Sequence, residues 1–223
     1  NLGAYGQGGS MARFTLAKEH LYTVDDKSLN LFDVSNKNTP IFLKNIPLGW
    51  GIETIFPYND KLFIGSNRGM YIYDISNASA PKELSQYQHL RACDPVVVND
   101  DYAFVTLRTG SFCAGTANVL EVVDIKDPTK PTLFKRCQMQ NPHGLALSGD
   151  VLYLCEGDYG FKSFNIKDVS IIQANLFEHL PTLNSTDVIA GPQSLLVIGK
   201  DGVTQYDYTD KTKLKLLSRI SIN

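Results

Sequence analysis

Short apolar runs, each closed by a turn-forming pair, follow one another along the chain, and nowhere is there a convincing 3.6-residue period. The runs HLYTV from His20, KLFIG from Lys61, DYAFV from Asp101, VLYLC from Val151 and LLVIG from Leu195 are rich in β-branched and aromatic residues. Their length and composition read as strands. A branched run comes before the middle three: Ile55 and Phe56; Val96, Val97 and Val98; Leu145, Ala146 and Leu147. The pairs Asn59-Asp60, Asn99-Asp100 and Gly149-Asp150 separate the two runs, which predicts a hairpin.

A third run completes each unit, in LNLFDVSN, GMYIYDISN, LEVVDIKD, FKSFNIKD and VTQYDYTD. Gly69, Gly160 and Gly202 stand at one repeat position before it, where a tight hairpin favours a positive φ. The run ends on an anchor: Asp33, Asp74, Asp124, Asn165 or Asp207. The short side chain of the anchor accepts backbone N–H groups of the next turn, and Asn or Asp three residues later does the same. Pro40, Pro81 and Pro131 then limit where a fourth strand begins.

The anchors are 41, 50, 41 and 42 residues apart. The one long interval contains RTGSFCAGTAN, residues 108 to 118, which reads as an insertion between two regular strands. Four antiparallel strands in a unit of about 40 residues is the pattern of a β-propeller blade. The reading is an all-β, five-bladed β-propeller forming one domain over residues 1–223, with blades near 11–49, 50–91, 92–140, 141–182 and 183–223. A β-solenoid competes, but its coils are shorter; a two-sheet sandwich needs no matching copies. The first unit starts at its innermost strand, MARFTLA, and the last finishes at its outermost, LKLLSRISI. Blades 1 and 5 are therefore expected to meet through side chains, unless residues 1 to 10 add something.

GWGIETIFPYNDKLFIGSNRGMYIYDIS (residues 49 to 76), CDPVVVNDDYAFVTLR, NPHGLALSGDVLYLCEGD and the D-[IV]-S-N anchors resemble the LVIVD-repeat proteins over essentially the whole chain. The likeness thins in blades 4 and 5, where Asn165 replaces the anchor Asp and the closing Pro is absent. The resemblance implies a propeller of the bacterial cell envelope, periplasmic or surface-exposed, of a kind that in the Bacteroides group is often a lipoprotein. It implies no reaction, because its motifs are scaffold motifs.

At 223 residues and 43% hydrophobic content the chain can bury a substantial core. The net charge of −2 and the absence of a long Lys/Arg run argue against nucleic acid. No apolar run is long enough to span a bilayer, and NLGAYGQGGS lacks the layout of a signal peptide. Membrane association is expected only through a lipid anchor outside this sequence. Cys93, Cys113, Cys137 and Cys155 all fall in blades 3 and 4. Cys93 with Cys113 is the preferred pair, pinning the insertion at a gain of about 3 kcal/mol. Cys137 with Cys155 is a second possibility, and four free thiols are the bland reading. No CxxC or Cys/His spacing suggests a metal, and no cofactor is expected.

Superposing the units puts Glu53, Asp94, His143 and Thr186, with Asp187 beside it, at one end of the inner strands. Carboxylates and a histidine around a channel mouth can orient a polar ligand or act as acid and base; against this stands an ordinary solvated lining. Trp50, between Gly49 and Gly51 near the same rim, is either a stacking platform or, the favoured reading, wedged between packed elements. Arg108, Ser111 and Phe112 of the insertion are candidates for binding specificity. No G-x-S-x-G or HExxH motif is present. The leading expectation is a non-catalytic recognition or scaffold domain for a protein, glycan or small polar ligand. The rival is a hydrolase or lyase at the channel mouth.

Overall fold

The computed structural model describes residues 9–88, 95–110 and 117–222. Among the described residues twenty strands form five antiparallel sheets, each of four strands consecutive in sequence. Blade 1 holds β1 (Phe14–Ala17), β2 (His20–Val24), β3 (Ser28–Asp33) and β4 (Ile41–Pro47). Blade 2 holds β5 (Ile52–Tyr58), β6 (Lys61–Ser66), β7 (Gly69–Asp74) and β8 (Lys82–Gln88). Blade 3 holds β9 (Val96–Val98), β10 (Tyr102–Leu107), β11 (Val119–Asp124) and β12 (Thr132–Gln138). Blade 4 holds β13 (Leu145–Ser148), β14 (Val151–Cys155), β15 (Phe161–Asn165) and β16 (Leu176–Leu180). Blade 5 holds β17 (Asp187–Ala190), β18 (Leu195–Gly199), β19 (Gly202–Asp207) and β20 (Lys215–Ser221). Five such meanders with their first strands innermost are consistent with a β-propeller.

The anchors behave as their chemistry requires. Asp33 Oδ1 accepts the Ser35 N–H at 2.8 Å, Asp74 that of Ser76 at 2.7 Å, Asp124 that of Lys126 at 3.0 Å and Asp207 that of Thr209 at 2.9 Å. Asn165 takes the Lys167 N–H at 3.0 Å, because a carbonyl oxygen serves as well as a carboxylate in this turn. Three residues on, Asn36, Asn77, Asp127, Asp168 and Asp210 each accept a second N–H. Blade 4 lacks the closing proline and fills its place with a 3-10 helix, Val169–Ala174, capped by Asp168.

Gly202 has φ 122°, and a Cβ there would lie 2.0 Å from the Ile220 carbonyl oxygen. Gly160, at φ 103°, faces the Leu180 carbonyl in the same way. The repeated glycine thus serves two needs: the hairpin conformation and the close approach of the fourth strand.

The core is a set of layers between neighbouring sheets. One apolar cluster joins blades 1 and 2, one joins 2 and 3, one joins 3 and 4, and one joins 4 and 5. Among the described residues no fifth cluster joins blade 5 to blade 1, so the expected meeting of those blades through side chains does not form a packed layer. Residues 9 to 12 do contribute at the centre. Ala12 accepts the Ile55 N–H of β5 at 2.9 Å, and the Ser10 hydroxyl accepts the Leu145 N–H of β13 at 2.8 Å. Both donors lie on the free inner edges of their sheets, where an unpaired N–H is costly.

One cysteine pairing is corrected. Cys137 and Cys155 are free and buried. Cys137 packs in the layer between blades 3 and 4, and Cys155 in the layer between blades 4 and 5. The sheet of blade 4 stands between the two thiols. Burial pushes both thiols up, Cys155 well above the ordinary range. Cys93 and Cys113 lie outside the described residues.

Candidate functional site

At one end of the inner strands a cavity of about 550 Å³ opens. Arg13 reaches it from just before β1, Glu53 and Thr54 from the start of β5, Arg108 from just after β10, and His143 from the approach to β13. Met11, Pro95 and Pro142 supply apolar wall, and Asp26 sits on the rim. Each polar residue stands at a strand end because blade strands alternate in direction, so inner-strand starts and second-strand ends share one face.

Arg108 and His143 are the centre of the site. Arg108 Nη1 lies 2.5 Å from Nδ1 and 2.9 Å from Nε2 of the imidazole, so guanidinium and ring are in direct contact. Burial, helped by the Arg108 charge, lowers the His143 pKa to about 4, with Asp158 pulling weakly the other way. Burial also lowers Arg108, while the nearby Glu53 carboxylate opposes the shift. His143 is fixed at its backbone: its N–H donates to Cys155 O at 2.8 Å, and the Thr106 hydroxyl donates to its carbonyl at 2.6 Å. Gly157, at φ 59°, leaves room for the ring, since a Cβ there would lie 3.0 Å from Nε2.

Arg13 pairs with Asp26 at 2.8 Å and donates to the Ile52 carbonyl at 3.3 Å, bracing the rim where blades 1 and 2 meet. Trp50 corrects the expectation of a wedged indole: it is 69% exposed, with Lys27 Nζ 3.6 Å from the ring centroid. Its flanking glycines have φ of 105° and 84°, a left-handed conformation that glycine adopts without steric cost.

Of the residues placed together by sequence, the structure brings Glu53 and His143 to one cavity and adds Arg108. Thr186 and Asp187 go elsewhere. The Thr186 hydroxyl donates to Ile198 O at 3.0 Å, and its carbonyl accepts the Gly144 N–H at 2.9 Å. The Asp187 carboxylate packs so closely on Gly9 and Gly144 that a Cβ on either would lie within 2.3 Å of an oxygen. It accepts the Val188 N–H at 2.9 Å, and burial raises its pKa to about 6. Asp94, Ser111 and Phe112 lie outside the described residues. Arg13 and Asp26 were missed in sequence because superposing the units puts Ala12, not Arg13, at the position of Glu53, and Asp26 lies in the turn after β2. Buried Glu121 is structural, held by Tyr87 and Arg136.

A model of the LVIVD repeat matches residues 58–89 and 91–139, in blades 2 and 3. No curated protein sequence matches it. Among solved structures, a protein from Lactobacillus plantarum is 15% identical with a TM-score of 0.73, over 92% of this chain and 69% of that one. The periplasmic gluconolactonase PpgL of Pseudomonas aeruginosa is 12% identical with a TM-score of 0.68, over 94% and 68%. Apo AztD from Citrobacter koseri is 17% identical with a TM-score of 0.64, over 92% and 61%. At these identities the likeness is one of fold alone. The chain spans roughly two thirds of the length of these structures.

Proposed function

We propose that this chain of LVIVD repeats is a non-catalytic recognition propeller that binds a small carboxylated polar ligand, such as a sugar acid, at the channel mouth. The observation that carries the reading is Arg108, half-buried, beside a neutral His143 in a cavity of about 550 Å³. A partly desolvated guanidinium is well suited to a carboxylate. Glu53 and Asp26 suit hydroxyl donors, and Met11, Pro95 and Pro142 suit a carbon skeleton. Trp50 offers an indole at the rim for a sugar face.

Binding is favoured over acid–base chemistry by the state of His143. With a pKa of about 4 it is neutral at pH 7, so it supplies no imidazolium acid and is a weak base. The carboxylate with the raised pKa, Asp187, is committed to Gly9, Gly144 and Val188 and is not part of the cavity wall. A cell-envelope location, including lipid anchoring, is part of this proposal and rests on the family resemblance; the free Cys137 and Cys155 lend it nothing.

Isothermal titration with D-gluconate and D-galacturonate, with D-glucose as the uncharged control, tests the reading. At least one acid is expected to bind and glucose to fail, with affinity falling about tenfold or more in Arg108→Ala. Absence of binding by either acid, or binding indifferent to Arg108→Ala, would overturn it. Hydrolysis of D-gluconolactone above the buffer rate, lost in His143→Gln, would replace it with the hydrolase.

A further inference from the structure

Each blade presents one face to the blade before it and one to the blade after it, and the same repeat positions build every junction. Towards the preceding blade, Ile55, Leu62 and Ile64 of blade 2 are at most 1% exposed. The strand registers make Phe14, Leu21 and Thr23 their counterparts in blade 1. There the surface is open: Phe14 is 63% exposed, and Leu21 and Thr23 are half-buried. In blades 3, 4 and 5 the counterparts of Phe14 are Val96, Leu145 and Val188, all 0% exposed.

Towards the following blade, an aromatic ring at the centre of the second strand fills each junction. Tyr22, Phe63, Phe104 and Tyr153 take this position, and each sits in the cluster shared with the next blade. In blade 5 the position is Leu196, half-buried, with Ile198 and Val203 on the same face. Among the described residues, five blades thus make four junctions and leave two junction faces, one at each side of the arc, without a packed layer.

We propose that these two faces are blade junctions for further LVIVD-type sheets of the same polypeptide, which complete the ring between blade 5 and blade 1. The chemistry of the occupant follows from the four junctions present. The sheet seated on Phe14 and Leu21 brings an aromatic residue at the centre of its second strand. The sheet seated on Leu196 and Ile198 brings aliphatic residues at the positions of Ile55, Leu62 and Ile64. A second copy of this chain is a poorer match, because its blade 5 would offer Leu196 and Gln205 to Phe14 in place of a ring. Size agrees: the chain covers 69% and 68% of two solved structures of this fold, and the remainder is room for roughly two blades of ~40 residues.

The test compares the 223-residue chain with the complete natural polypeptide that contains it. Phe14→Cys and Leu196→Cys, introduced singly, report alkylation by peptide mass; Thr23→Cys and Val203→Cys replace them if either fails to fold. Both sites are expected to label fast in the 223-residue chain and roughly tenfold or more slowly in the complete polypeptide, where a packed layer must open first. Equal rates in the two forms would overturn the proposal, as would a complete polypeptide without further repeats. Slow labelling of the 223-residue chain would also overturn it: at doubled mass in sedimentation a second copy covers the faces, and at monomer mass blades 1 and 5 close on each other.

Discussion

The two ends of the central channel are made by the same inner strands and have opposite characters. At the mouth, Arg13, Glu53, Arg108 and His143 face a cavity of about 550 Å³; at the other end, Ile55, Pro57, Val97, Leu147 and Ile189 narrow the space to about 140 Å³. Ser10 and Ala12 lie between, bonded to Leu145 and Ile55. The narrow end is lined mainly by apolar residues, contributed by every blade. The mouth differs from blade to blade, and that lack of repetition is where a ligand can be recognised.

The largest effect is expected at the narrow end. Ile55→Ala removes a 1% exposed side chain from the layer between blades 1 and 2 and should cost about 2–5 kcal/mol in urea unfolding, with ligand affinity per folded molecule kept. A cost below that of a surface substitution would mean that the narrow end is not packed. Gly144→Ala attacks the partition between the ends. Its Cβ would fall 2.2 Å from Asp187 Oδ1 and 2.9 Å from the Asp187 Cα, so a loss of roughly 1–3 kcal/mol is expected, and Asp187→Asn should not relieve it.

The pH dependence of stability sharpens the contrast. Unfolded His143 protonates near its ordinary 6.5 but folded only near 4, so stability is lost as pH falls between those values. Asp187 behaves oppositely: its folded pKa of about 6 exceeds 3.8, so its contribution is present at low pH and is lost as pH rises towards 6. Between about pH 4 and 6 the two slopes oppose each other. Asp187→Asn is therefore expected to raise stability at pH 8 by roughly 1–3 kcal/mol and to steepen the loss on acidification, whereas His143→Gln should show stability rising from pH 6 to 4. Parallel profiles for the two variants would break the comparison. The smallest effect belongs to Trp50→Ala, expected within about 0.5 kcal/mol of the parent, with a wild-type emission maximum typical of an exposed indole.

The fold was legible because the turns are chemical. An Asp or Asn anchor, a second Asx residue three positions on and a glycine before the third strand mark the blades wherever they occur, and Asn165 needed only its carbonyl oxygen to keep the turn. The site was half legible. Glu53 and His143 share a repeat position near the strand starts, so superposing units was enough to bring them together. Thr186 and Asp187 share it nearly as well, but their side chains are spent on Ile198 O and on the Val188 N–H. Arg108 was assigned to a loop, and only the end of β10 shows that it reaches His143.

By itself the sequence determined the strands, their order within each sheet and the number of sheets, since these follow from local patterning and turn chemistry that act over a few residues. The tertiary structure alone decided which side chains at a strand end turn inward, that the sheet of blade 4 separates Cys137 from Cys155, and that among the described residues no packed layer joins blades 1 and 5. Those outcomes depend on how neighbouring sheets press together, and repeat positions that look equivalent in sequence become different once one of them lacks a neighbour.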